Sequence, residues 1–353
     1  MGYNKNFNNA LAIWAALGGR GEVVFGIPTL SWSKMYYSDF GYTQYGDETK
    51  INVYDNGNAQ IAVYYAKTPY MSYYNKTTKQ WTVVDCVWWN YGIPKILWAG
   101  DGVFLACITG LANIIASFDG ITWYNAGYCV GAKNDMMVGA YDITRSCGIV
   151  SWWYYQSPVY YSYDSLEERT EWTLVGSDGT SVPIFKYLTA HKGLFVGING
   201  GQNSIATANP ASPGVWTTTI PEDLNGTTYK FIRSINGKIF VMKYRYIDGI
   251  YQVNLCVMDD AVTEFVETNL SHVGDLADNH IPNPQNIIWM GDWGKYALLS
   301  EGMLYASADG LTWEGVEQPE FNTSQYEIFE GAIYIPGDGF YVKGNSYVYY
   351  APY

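Results

Sequence analysis

With 353 residues and 33 acidic against 20 basic side chains, the chain has a formal net charge of −13. That balance argues against nucleic acids and anionic membranes as partners, because both need clustered Lys and Arg and the basic residues here form no run. No stretch approaches the roughly 20 apolar residues that span a bilayer, and 17% aromatic against 15% charged residues, led by 34 Tyr, fits an all-β protein with an aromatic surface.

In chain order, the first element is Ala10-Leu-Ala-Ile-Trp-Ala-Ala-Leu17. It is short for the apolar core of an export signal and reads as a strand or short helix, a docking or ring-closing piece within residues 1–20. Tyr36-Tyr-Ser-Asp39 with Gly41 and Thr43 follows, a weak copy of a pattern that recurs downstream. Met71-Ser-Tyr-Tyr-Asn-Lys-Thr-Thr-Lys-Gln-Trp81 shows it better: a strand, a polar turn, then Trp. Ile96 to Ala106, with Gly100-Asp-Gly102 at its centre, is a strand, a tight turn and a second strand. Ser117-Phe-Asp-Gly-Ile-Thr-Trp123 comes next, and Ser307-Ala-Asp-Gly-Leu-Thr-Trp313 nearly repeats it 190 positions later. Between them, Tyr161-Ser-Tyr-Asp164 leads to Trp172, Ile205-Ala-Thr-Ala-Asn209 to Trp216, and Leu255-Cys-Val-Met-Asp259 to Phe265 in place of Trp.

Self-similarity at a fixed period decides the architecture. The aromatic landmarks at 81, 123, 172, 216, 265 and 313 lie 42, 49, 44, 49 and 48 residues apart, the length of a four-stranded propeller blade. Hairpins upstream of the turns (Leu188–Gly197, Ile232–Val241, Ile288–Ala297, Tyr334–Val342) complete each unit, and helical periodicity is nearly absent. The expected fold is all-β: one β-propeller over residues 1–353, built of four-stranded antiparallel blades. Seven blades are expected if residues near Lys34 to Tyr45 finish the blade that Glu327 to Tyr353 begins. Eight follow if residues 11–45 form their own blade, and the bounds are six to eight.

The two heptads resemble the Asp-box, or BNR repeat, of sialidase-like β-propellers, although each is one residue shorter between Asp and Gly than the family pattern. Their chemistry suits a turn. Asp119 and Asp309 can bond their own backbone amides, Gly120 and Gly310 accept positive φ, Ser117, Thr122, Ser307 and Thr312 can cap with hydroxyls, and Trp123 and Trp313 can fold back between sheets. These residues therefore read as structural, and the resemblance extends to the fold rather than to an active site.

A sialidase-like glycoside hydrolase is the leading enzymatic alternative. The resemblance would then imply three arginines on a carboxylate and a Tyr–Glu pair, but Arg20, Arg145, Arg169, Arg233 and Arg245 sit in no matching context. Asp101, Asp292 and Asp338 recur at equivalent hairpins, which favours structure, and Glu264, Glu267 and Asp275 are unremarkable as one of the two carboxylates a glycosidase needs. Cys86, Cys107, Cys129, Cys147 and Cys256 make no Cys-x-x-Cys, and His191, His272 and His280 lack the spacing of shared metal ligands. No metal and no cofactor is expected.

A binding role starts from aromatics that break the repeat. Trp88, Trp89 and Tyr91, and Trp152, Trp153, Tyr154 and Tyr155, stand in runs whose neighbours face opposite sides of a strand, so one of each pair is left for a ligand. Trp293 and the Tyr244, Tyr246 and Tyr251 group sit near expected loop tips. Flat aromatic faces suit sugar rings or a protein partner. A Tyr-, Asn-, Gly- and Thr-rich chain of this fold looks like the propellers of bacteriophage tail-fibre and receptor-binding proteins. That resemblance implies a non-enzymatic virion protein whose partners are other virion proteins or a host-surface glycan, with a bacterial cell-surface protein as the alternative location.

Overall fold

A computed structural model describes residues 29–42, 47, 50–65, 70–84, 94–108, 113–129, 137–152, 159–168, 171–175, 185–200, 203–220, 226–274, 284–300, 302–318, 329–344 and 347–353. Its strands pair into seven antiparallel four-stranded sheets. Taken in chain order as blades I to VII, their innermost strands are Ile51–Asp55, Pro94–Gly100, Met137–Asp142, Phe185–His191, Thr227–Ile235, Ile287–Met290 and Phe329–Ile335. These strands lie beside one another around a common axis, and that of blade VII returns to that of blade I. The molecule is a seven-bladed β-propeller.

Ring closure follows the seven-blade expectation. Blade VII takes three strands from the C-terminal end and its outermost from Ser33–Met35, which pairs antiparallel with Val348–Pro352 in the register Ser33↔Tyr350 and Met35↔Val348. Tyr36-Tyr-Ser-Asp39 is no blade turn of its own. It leads from that strand into a 3-10 turn, Tyr37–Phe40, whose start is fixed by Asp39 Oδ2 accepting the Tyr36 amide at 2.7 Å. The apolar segment at 10–17 lies outside the described residues.

Strand sequence and packing explain each other. Val103–Ile108 (VFLACI) is buried at every position, because a blade presses on a neighbour with each face. Val103, Leu105 and Cys107 join blade III in one core cluster, while Phe104, Ala106 and Ile108 join blade I in another. Such a strand reads as a continuous apolar run for the reason that strands of doubly covered sheets do. Each of the seven interfaces among the described residues holds its own cluster, the last uniting Ile333 and Tyr341 of blade VII with Ile51 and Ala62 of blade I. Hydrophobic burial is therefore distributed around the ring, at about 1.5–3 kcal/mol per large side chain.

The two heptads form the turn between the third and fourth strands of blades II and VI. Asp119 Oδ1 accepts the Ile121 and Thr122 amides at 2.8 and 2.7 Å, and Ser117 Oγ accepts the Gly120 amide at 2.9 Å. Asp309 and Ser307 do the same at 2.8 Å in each case. Gly120 and Gly310 both have φ +74°, and a Cβ on Gly120 would lie 2.6 Å from Ile61 Cγ2 of blade I. The turn thus demands glycine twice over, for its conformation and for its approach to the preceding blade. Trp123 packs there on Phe104, and Trp313 on Phe240 of blade V, with its indole N–H on the Gly310 carbonyl at 3.0 Å. The degenerate copies keep the chemistry: Asn75, Asn209 and Asp259 each offer Oδ1 to amides two to five residues on.

Candidate functional site

The innermost strands enclose a solvent-accessible space of about 370 Å³ at the axis, lined from blades I, II, IV, V and VII and by Gln285 before blade VI. Its lining is mixed: Val53, Ile96, Leu188 and Ile333 stand beside Asn52, Thr189, Ser234 and Gln285, and polar atoms make up more of the exposed wall than apolar ones. A register shift between Ile96 and Trp98 interrupts the ladder of blade II, and beside it both Leu97 and Trp98 line the channel, although regular alternation would send neighbours apart. The half-buried Trp98 indole donates to the Gly100 carbonyl at 3.1 Å, which holds the ring in place.

Among the described residues three charged ones line the channel: Asp55 of blade I, Arg233 of blade V and the almost fully buried Lys343 of blade VII. Arg233 Nη1 donates to the Gln285 and Ile287 carbonyls at 2.6 and 3.1 Å, which anchors one corner of the guanidinium to blade VI. Burial lowers its pKa, and the charge of Asp55 opposes that shift. Asp55 Oδ1 accepts the Gly57 amide at 2.7 Å and Gln60 Nε2 at 3.1 Å. Burial nonetheless raises its pKa, against those bonds and the charges of Lys76 and Arg233. Among the described residues one acid stands against two bases there, of which Lys343 is almost fully buried, in a chain of net charge −13.

At the seam of blades IV and V, beside the channel, His191 Nδ1 meets Ser234 Oγ at 2.9 Å and its Nε2 meets Asp260 Oδ1 at 3.3 Å. Asp260 also pairs with Lys192 at 2.7 Å. The Ser234 amide donates to Thr189 Oγ1 at 3.0 Å, so the group ties two inner strands together.

Trp88, Trp89, Tyr91, Trp153, Tyr154 and Tyr155 lie outside the described residues, and of Trp152 only the backbone is described, paired with Met137. Trp293 is half-buried between blades VI and VII, its ring 4.2 Å from that of Tyr353 and beside Leu30 and Phe340. Tyr246 and Tyr251 form a cross-strand pair with rings 4.4 Å apart, next to the tip of an extended blade V hairpin where Ile247 and Ile250 are also exposed.

Of the carboxylates weighed as catalysts, Asp275 lies outside the described residues, and three of the others have partners elsewhere. Asp292 accepts the Tyr334 hydroxyl and Asp338 the Tyr341 hydroxyl, each at 2.7 Å, and Glu267 binds Lys243 at 2.7 Å and Asn254 at 2.9 Å. Of the described arginines only Arg233 reaches the channel: Arg245 Nε bonds Thr227, and Arg145 sits in the hairpin of blade III with its amide on Asp142. Cys107, Cys129, Cys147 and Cys256 are buried free thiols, and burial pushes Cys147 and Cys256 up to about 12. Among the described residues no three metal-binding side chains converge, and no helix is long and apolar enough to cross a membrane.

Sequence reasoning missed Asp55, Trp98 and Lys343, and it weighed Arg233 only as part of an arginine clamp. Each comes from a different blade. Their strands, INVYD, PKILWAG, TTYKFIRSI and GFYVKG, carry other polar residues too, so nothing in them singled these positions out.

No family model matches the chain, and no curated protein matches it in sequence. Solved structures do share the fold. A structure described as YCF48 bound to D1 peptide aligns over 93% of this chain and 96% of its own, at 10% identity and a TM-score of 0.55. A streptogramin B lyase aligns over 91% and 97%, at 9% identity and 0.57. An oligogalacturonate lyase in complex with manganese aligns over 92% and 98%, at 11% and 0.52. Identities this low establish the propeller and nothing about its chemistry.

Proposed function

We propose that this chain is a non-enzymatic recognition propeller of the Asp-box type, carried on a bacteriophage particle and binding a host-surface glycan or a neighbouring virion protein. The carrying observation is the composition of the axial channel, where a single described carboxylate, Asp55, stands among two cations, the Trp98 indole and a wall of mixed polar and apolar residues. Hydrolysis of a glycosidic bond by the usual route takes two carboxylates across the sugar, roughly 5–10 Å apart. A channel of this size with a few converging polar groups suits binding. The heptad aspartates are used up in their turns, as structural repeats should be. Fold neighbours include both enzymes and a peptide-bound protein, so they favour neither class. The virion assignment rests on the Tyr-, Asn- and Gly-rich composition and the likeness of such propellers to tail-fibre modules. Pull-down of the purified protein on a panel of bacterial cells, and on particles lacking it, tests the reading. Saturable attachment to either supports it, and attachment to neither overturns it.

A further inference from the structure

We propose that the axial channel is the ligand site, and that it takes a hydroxyl-bearing small molecule or glycan residue through an anionic group, carboxylate or phosphate, held by the Arg233 guanidinium. This inference deepens the recognition reading and rests on it for the expectation that a glycan is bound.

Five observations converge. Arg233 is half anchored: Nη1 is fixed on the Gln285 and Ile287 carbonyls, while among the described residues its Nε and Nη2 donate to nothing in the protein. A guanidinium held at one corner with its other N–H groups facing a solvent-filled space is pre-organised for a forked contact with an oxyanion. Among the described lining residues the bases Arg233 and Lys343 outnumber the one acid, Asp55, although the chain is strongly acidic. Asn52 lines the same wall as Asp55, and no hydrogen bond occupies its side-chain amide among the described residues, which leaves donors and an acceptor for ligand hydroxyls. The Trp98 indole, clamped by its own bond and packed in part against the cores on either side of blade III, adds a half-buried apolar ring to the lining. The space of about 370 Å³ falls within the range of small-ligand pockets and suits one sugar-sized unit.

Asp55 opposes the anion. Its carboxylate faces the same space from blade I, and Oδ2 has no hydrogen-bond partner among the described residues. It accordingly acts as a selectivity element. It accepts hydroxyls, holds the Arg233 charge in check and makes the site refuse bare polyanions. Replacing it by Asn should tighten anion binding about three- to tenfold, the size of one like-charge interaction at several ångströms in a partly solvated site.

The test is titration calorimetry of the intact protein with D-glucuronate, D-glucose 6-phosphate, D-glucose and inorganic phosphate, alongside Arg233→Gln, Asn52→Ala and Asp55→Asn. We expect one site per chain, at least tenfold preference for one or both anionic sugars over glucose, weakening with salt, and a further preference over inorganic phosphate. Which of the two anionic sugars binds better separates a carboxylate ligand from a phosphate ligand. Arg233→Gln should lose at least tenfold toward the anionic sugars and nothing toward glucose. Because Arg233 also braces Gln285 and Ile287, thermal melts accompany it, and Asn52→Ala, which leaves that brace intact, should independently weaken binding several-fold. Equal affinity for glucose and the anionic sugars, an Arg233→Gln variant that binds normally, or no binding of either anionic sugar at millimolar concentration overturns the proposal. Cell attachment measured on the same Arg233→Gln protein separates that failure from failure of the recognition reading, which predicts attachment by some surface in either case.

Discussion

Tyr334 of blade VII donates its hydroxyl to Asp292 Oδ2 of blade VI at 2.7 Å, across the seam between two sheets. The same device joins blades VI and V, where Tyr296 bonds the Asn236 carbonyl at 3.0 Å. In both, an inward Tyr of one blade reaches the first hairpin of the blade before it. Burial, and then the Asp292 carboxylate, push the Tyr334 phenol far above its ordinary range, so it stays a donor at any working pH. Tyr334→Phe should lower stability by about 1 kcal/mol, the usual worth of one hydrogen bond, without altering the slope of denaturant unfolding. Urea titration of the two proteins checks it.

The heptad turns carry a larger local debt. Asp119→Ala leaves the Ile121 and Thr122 amides without their acceptor and should cost about 1–2 kcal/mol, while Asp119→Asn, which keeps one oxygen, should cost less. Burial alone would raise the Asp119 carboxyl, but the Thr122 and Ile121 amides and the Ser117 and Thr122 hydroxyls outweigh it and lower the pKa. At Asp309 the Thr312 amide leads the same lowering. A carboxyl with a folded-state pKa below its unfolded value of about 4 contributes stability above that pH and loses it as pH falls further. Acid melts below about pH 4 should therefore be steeper for the parent protein than for an Asp119→Asn, Asp309→Asn double variant.

His191 sets a second pH dependence. Burial lowers its pKa, against its bond to Asp260, and the other charge facing it is Lys192. The unfolded chain therefore binds a proton more readily than the folded one. Stability should fall as pH drops below the unfolded value of about 6.5, with a limiting slope of about 1.4 kcal/mol per pH unit. Thermal melts from pH 7.5 to 5 should show that decline in the parent and a flatter profile in His191→Gln.

The outermost strand of blade VII predicts how the ring is held shut. Met35 is buried against the cluster that unites blades VII and I. Met35→Ala should cost about 2 kcal/mol or more and concentrate new protease cleavage at the seam between those blades. Limited proteolysis with mass mapping distinguishes this from uniform loosening.

How much of this was legible beforehand follows from what each residue answers to. Turn chemistry is local, so Ser117-x-Asp-Gly-x-Thr-Trp123 announces its bend in seven residues, and its spacing from Trp81 and Trp172 gives the blade length. Ring closure was visible because Glu327 to Tyr353 offers too few strands and Lys34 stands in a strand-like run at the other end. The channel was not legible. Asp55, Trp98, Arg233 and Lys343 come together only because four blades are wound around one axis, and nothing in the residues around Asp55 marks its distant partner in blade V. Aromatic runs drew attention at 86–92 and 150–156 because composition is easy to see, while one Arg in a strand of mixed polarity is not.

The central claim is that the molecule binds a surface glycan and leaves it intact. The most direct measurement is release of reducing ends from host cells, or their purified surface glycan, in the same samples in which attachment of the protein is quantified. Saturable attachment with reducing ends at the level of a protein-free control is the predicted result. Reducing ends that accumulate in proportion to bound protein and time would contradict it.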